Sequence, residues 1–259
     1  SVAAGGFAGQ FTMRDANIVF SNDTVTLVMP NGATTVVAGG LVGNFLYDAS
    51  RSVEMLNLGN IIDISVNSTG YIAYAGGLVG MGSFENVAVT DSLNRIHAVI
   101  ATKGSGDGDV AVGGEFGEIL NANGLLVAYD AIDARLVAAG SQVQRLGGVV
   151  GKAKMAAAGE TRIVQCDVEA SIASTGMGKN DVAMGGLVAH VTEVLLDDVN
   201  RHQGTTLYSD TNRVTASLEV ASSGEICAGG LVGYLKTEDG SSSPSGGFRS
   251  SASLVKAIT

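Results

Sequence analysis

The sequence predicts an all-β fold: a right-handed parallel β-helix, or β-solenoid, of about seven coils of roughly 37 residues, forming a single body over residues 1–259. Three observations carry that prediction. A five-residue unit, Gly39-Gly40-Leu41-Val42-Gly43, returns as Gly76-Gly77-Leu78-Val79-Gly80 and as Gly229-Gly230-Leu231-Val232-Gly233. With looser copies, the first glycines stand at 5, 39, 76, 113, 147, 185 and 229, in steps of 34, 37, 37, 34, 38 and 44. A near-constant step of this size marks stacked repeats. Between the copies the chain alternates apolar and polar residues with a period of two, the pattern of a strand with one buried face.

Each element follows from the same reasoning. Before each glycine pair comes an apolar residue (Ala4, Ala38, Ala75, Val112, Leu146, Met184, Ala228), and two positions earlier another, Gln144 being the exception. That is a short strand leading into a corner. The glycine pair is read as a place where backbones approach closely or adopt positive φ. The structural corners are Gly40, Gly43, Gly77, Gly80, Gly148, Gly151, Gly186, Gly230 and Gly233. A short apolar stretch and a turn come next, and then a long alternating strand: Ile62, Ile64 and Val66 in one repeat, Val168, Ala170 and Ile172 in another. The stretch from Leu125 to Gly140 is rich in helix formers, but its alternation (Ile132, Ala134, Leu136, Ala138) favours strand. The repeat from Gly185 is about seven residues longer than the common step, with the surplus near residues 195–204, so a projecting loop or helical turn is expected there. Seven coils at about 4.8 Å each make a body about 34 Å along its axis.

Composition narrows the functions. Gly 37 with Pro 2, no Trp, and 46% mostly small hydrophobics suits a thin stacked core. A net charge of −10 argues against nucleic acid and against an anionic membrane surface, and no apolar run is long enough to span a bilayer. The chain opens on Ser1 without a signal peptide, and is read as processed or as a segment of something longer. Cys166 and Cys227 fall at different places in different repeats, so no bridge is expected between them.

The Gly-Leu-Val-Gly unit, preceded by a glycine and a short strand, resembles the GLUG motif, whose third position is any hydrophobic residue. The run from Ile163 to Val188 looks like one full repeat of that family, with Cys166 in its strand. The resemblance covers the whole chain through seven copies, and Glu115-Phe116 and Ala189 depart from it locally. It implies a right-handed parallel β-helix in secreted or surface-anchored bacterial proteins, often adhesin-like. The motif itself carries no catalytic residues.

No other motif supplies clear chemistry. His97, His190 and His202 form no pair at zinc spacing. Gly104 to Asp109 offers Asp107 and Asp109 as weak calcium candidates, but it lacks the bidentate Glu of an EF-hand and occurs once. Asp197, Asp198, Arg201 and His202 form the densest titratable cluster and mark a candidate binding loop in the long insertion. Polysaccharide-active β-helices need two or three carboxylates aligned on one face of successive coils, and the spacing does not reveal such a set. Asn22 and Asn67 open glycosylation sequons at near-chance frequency.

The expected function is an extracellular, cell-surface structural or adhesive module, a stalk or fibre subunit without catalysis or cofactor. A glycan- or calcium-binding module is the alternative, with a polysaccharide-active enzyme behind it. The expected partners are further copies stacked head-to-tail or neighbouring coils of a longer parent chain, and a surface glycan or protein. The reason is that Val2 and Ala4 begin on the last strand of a coil, and neither end shows a polar cap.

Overall fold

The computed structural model describes residues 2–29, 35–70, 72–104, 108–140, 143–175, 181–193, 206–222, 224–236, 247–251 and 254–258. Three parallel sheets run along it. Sheet A takes the short strands Val2–Gly5, Thr35–Gly39, Ile72–Gly76, Asp109–Gly113, Val143–Gly147, Val182–Gly185 and Ile226–Gly229. Sheet B follows each glycine corner, starting from Ala8–Arg14 and Val42–Leu58 and ending at Val232–Lys236. Sheet C collects Thr24–Met29, Ile61–Ser68, Arg95–Gly104, Ala131–Gly140, Asp167–Ser174, Arg213–Val220 and Leu254–Ile258. Among the described residues every pairing is parallel and joins one coil to the next, so the chain is a β-solenoid whose A and C sheets each show seven rungs. The segment from Leu125 to Gly140 holds no helix: it is the end of the strand Phe116–Ala128 in sheet B, a turn at Tyr129 and Asp130, and the strand Ala131–Gly140 in sheet C, whose alternation the sequence predicts.

The corners separate the two explanations offered for the glycines. Among the described glycines only Gly59 and Gly140 have positive φ, so the corner glycines are there for close approach. A Cβ on Gly40 would run into the carbonyl oxygen of Gly77, one on Gly77 into that of Gly114, and one on Gly43 would stand 2.6 Å from two carbonyl oxygens. The rung-to-rung ladder continues around the bend: Gly40 N–H donates to Gly77 O at 2.8 Å and Leu41 N–H to Leu78 O at 2.9 Å. The sixth copy carries a buried Ala189 where the others have the last glycine.

Inside, like stacks on like. Val42, Val79, Phe116, Val150 and Val188 align in register and are fully buried, and Val232 at the last coil is half-buried. Gln144, the polar exception before a corner, is also buried. Its amide donates to Gly140 O and accepts from the Ser174 hydroxyl.

Sheet B differs from the three simple strands per coil that the sequence suggests. It bends in mid-strand, with register shifts between Asp48 and Val53 and between Leu120 and Gly124. At the sixth coil the two halves are separate strands, Val188–Glu193 and Thr206–Asp210, both paired with Val150–Val164. The extra length of that repeat is therefore inserted at the bend, where the ladder is already irregular and a longer connection disturbs least. The insertion itself lies outside the described residues. Cys166 is buried, Cys227 is half-buried, and both are free thiols.

Val79→Asp should lose on the order of 3 kcal/mol or more, because a charge replaces an apolar side chain with no partner in reach. An unchanged urea midpoint would refute the stacked-core assignment. Gly77→Ala should destabilise comparably, since the added Cβ meets backbone, which cannot step aside as a flexible side chain can. Melting curves of the two variants test both expectations.

Candidate functional site

The corner that packs the core also shapes the surface. Both faces of the backbone are buried around the glycine pairs at residues 36–43, 110–119 and 182–189, so the bend is re-entrant. The outer faces of sheets A and B turn toward each other there and line a groove running along the stack. Parallel register sets its contents. On sheet A, Tyr74, Ala111, Arg145, Ala183 and Cys227 follow rung by rung. On sheet B, Glu118, Lys152, His190 and Tyr234 do the same.

At the fourth and fifth coils the groove is filled by ions. The Arg145 guanidinium pairs closely with Asp109. The Lys152 ammonium pairs closely with Glu118 and reaches Asp109 at 3.4 Å. Arg145, Lys152 and Asp109 are largely buried and Glu118 almost wholly so. Burial, then the Glu118 and Asp109 carboxylates, push the Tyr74 hydroxyl well above its usual range. Asp109, the calcium candidate, is thus committed to two cations of its own chain. Further along, a cleft of about 260 Å³ opens between Arg145, Asp181, Ala183, His190, Glu225, Cys227 and Tyr234. The His190 and Tyr234 rings stack 4.9 Å apart, 13° from parallel.

The outer face of sheet C corrects one reading of the sequence. Aligned carboxylates are not evident from spacing alone, yet register places Asp63, His97, Asp133 and Glu169 in one column on successive coils. His97 Nδ1 lies 3.3 Å from Asp63, and Nε2 lies 3.8 Å from Asp133. All three side chains are more than half exposed, and the surface around them is a shallow open depression.

A second polar set lies inside, and sequence reasoning missed it. At the six described turns from sheet B to sheet C one residue is left-handed: Asn22, Gly59, Leu93, Tyr129, Gln165 and Thr211, with φ between 54° and 68°. At the last five of these turns the next residue is buried, forming a ladder of Asn60, Asn94, Asp130, Cys166 and Asn212, whereas Asp23 at the first coil is exposed. The Asn60 amide donates to Asn94 Oδ1 at 3.0 Å, and Asn94 N–H donates to Asp130. Cys166 N–H donates to Asn212 Oδ1 at 2.9 Å. The signal was a hydrogen-bonding residue immediately before every long alternating strand.

Glu115 approaches this ladder from the opposite wall. It stands in the column of Leu41, Leu78, Val149 and Leu187, is fully buried, and faces Asp91 and Asp130. As carboxylates, Glu115 Oε1 and Oε2, Asp91 Oδ2 and Asp130 Oδ2 have no donor; a proton on one carboxyl supplies a hydrogen bond to the next. Burial, then the neighbouring Asp130 and Asp91, push Glu115 well up. Burial and Asp130 do the same to Asp91, and burial raises Asp130 to about 7. Burial takes the Cys166 thiol to about 12. The only hint in the sequence was a charged residue at a motif position that is apolar in the other six copies.

Of the other predicted residues, Asp107, Asp197, Asp198, Arg201 and His202 lie outside the described residues. Among those described, no three His, Cys, Asp or Glu side chains are placed to hold a metal ion. No family model matches the chain, and neither does any curated protein or solved structure.

The buried carboxyls give a stability that depends on pH. Their folded pKa values lie above the unfolded value near 4. Their contribution is therefore complete below about pH 4 and is lost as pH rises through about 7 for Asp130. Stability should fall by on the order of a few kcal/mol between pH 5 and 8. Glu115→Leu, the residue the same column carries at positions 41, 78 and 187, should raise the melting temperature at pH 8 and flatten the pH dependence. Equal pH slopes for the two proteins would show that Glu115 does not hold a proton in the fold.

Proposed function

We propose that this chain is a structural and adhesive module of the cell exterior, a rod that spaces and presents surface without catalysis or cofactor. The observation that carries this reading is the unbroken rung-to-rung pairing of sheets A and C over seven strands each, with like residues stacked from coil to coil. Such a body resists bending and local opening because each strand is held on both sides. The resemblance of its corners to the GLUG motif supports an extracellular setting. The first coil supports a stacking partner: Phe7 is 61% exposed, whereas Leu41 and Leu78 in the same column are buried. In this reading a further coil covers Phe7, from another copy stacked head-to-tail or from neighbouring coils of a longer parent chain.

A polysaccharide-active enzyme is the second reading, favoured by the Asp63, Asp133 and Glu169 column, because carboxylates on successive or alternate rungs fall in the range of separations used in glycoside hydrolysis.

Negative-stain microscopy and sedimentation of the purified chain test the first reading. Rods that lengthen with concentration, and shorten in Phe7→Asp, are expected. A species that stays monomeric at high concentration and is unaffected by Phe7→Asp overturns head-to-tail stacking. Incubation with a panel of acidic and neutral polysaccharides should release no sugar. Release that disappears in Asp133→Asn would install the enzyme reading instead.

A further inference from the structure

The groove repeats its columns two coils on, keeping an aspartate at one position and changing the side chains around it. Asp109 and Asp181 stand in the same sheet-A column, two rungs apart, as do Arg145 and Cys227 in the next column. Across the groove, Glu118 and Lys152 correspond in the same way to His190 and Tyr234. In the first pair of coils the Arg145 guanidinium lies against the Asp109 carboxylate and fills the groove. In the second pair the short Cys227 stands where an arginine stood, and a cleft of about 260 Å³ lies against it. Asp181 remains on the wall, and Glu225 joins it from the next rung, where the earlier pair has Val143.

We propose that this cleft is a binding site for an arginine side chain of a peptide or protein partner, seated against Asp181 and Glu225 as Arg145 is seated against Asp109. This rests on the adhesive reading and gives it a contact chemistry. Several features select the ligand. Arg145 at the closed end already shares its charge with Asp109, so the two carboxylates of the open half set the local charge. Among the described residues of the groove, four carboxylates (Asp109, Glu118, Asp181, Glu225) face two cations (Arg145, Lys152). The stacked His190 and Tyr234 rings make the wall opposite the acids. A planar, weakly hydrated guanidinium lies against such rings and forks onto carboxylates, whereas an ammonium keeps its water. Asp181 and Glu225 are both solvent-exposed, so the affinity for one side chain is on the order of millimolar and falls with salt.

The probe is Nα-acetyl-arginine methylamide, which mimics an arginine within a chain, titrated into the protein by NMR at low salt. Free arginine tests a metabolite source, the matching lysine compound tests the preference for a planar group, and the citrulline compound keeps the shape without the charge. Cys227 supplies a second readout, since a seated guanidinium should slow its alkylation severalfold while the buried Cys166 stays unreactive. The expected result is saturable shifts with the arginine amide, weaker ones with lysine and none with citrulline. Asp181→Asn should abolish them, and so should Cys227→Arg, which fills the cleft from within. Equal binding of citrulline, or binding that survives both substitutions, overturns the proposal. Stronger binding of free arginine than of the amide makes the cleft a small-molecule site and overturns the peptide assignment. Microscopy of the same sample shows separately whether rods form, so loss of the arginine site and loss of the rod reading are told apart.

Discussion

The architecture depends on one steric constraint, the approach of backbone to backbone at the glycine corners. A parallel stack has rungs at a fixed spacing of about 4.8 Å. A strand can turn sharply without breaking its ladder only if nothing projects from the turning residues. Gly40, Gly77 and Gly114 meet that demand, and their amides keep donating to the next rung through the bend. Because the corner is re-entrant, one feature has two outcomes. It brings the leucine column into the core, and it folds two outer faces together into a groove.

The interior shows how far a stacked core tolerates polarity. A column of apolar residues is satisfied by shape alone, whereas a column of amides and carboxyls needs every partner supplied along the axis. The ladder from Asn60 to Asn212 meets that need by passing hydrogen bonds from rung to rung. At the fourth coil it meets Glu115, which brings a third carboxyl toward Asp91 and Asp130 where leucine or valine stands in the neighbouring coils. Only protons reconcile those groups, so this part of the stack is tied to acidity in a way the purely apolar coils are not.

The groove presents the same lattice in two conditions. Where the chain supplies its own cations, carboxylates and cations pair within the fold, and burial beside Glu118 and Asp109 raises the Tyr74 hydroxyl. Where Cys227 stands in place of the guanidinium, Asp181 keeps the position of Asp109, Glu225 stands beside it, and a cleft is open. A repeat protein makes this comparison possible because translation by whole coils preserves geometry while the side chains change.

The sequence by itself determined the fold class, the coil length and the inward-facing residues, because these follow from short-range periodicity: Val42 and Val79 are apolar at matching places in units one coil apart. It also showed, without explaining it, that Glu115 breaks a column that is otherwise apolar. Tertiary structure decided everything that depends on register between coils. Asp63, His97, Asp133 and Glu169 are separated by more than thirty residues each, and only the pairing of Ile62 with Ile96 and of Ile96 with Ile132 places them side by side. The glycine corners could have served positive φ or close packing, and only the positions of neighbouring carbonyls chose between them. The groove was likewise invisible, since the direction in which a corner bends is set by packing across the stack and leaves no period in the chain.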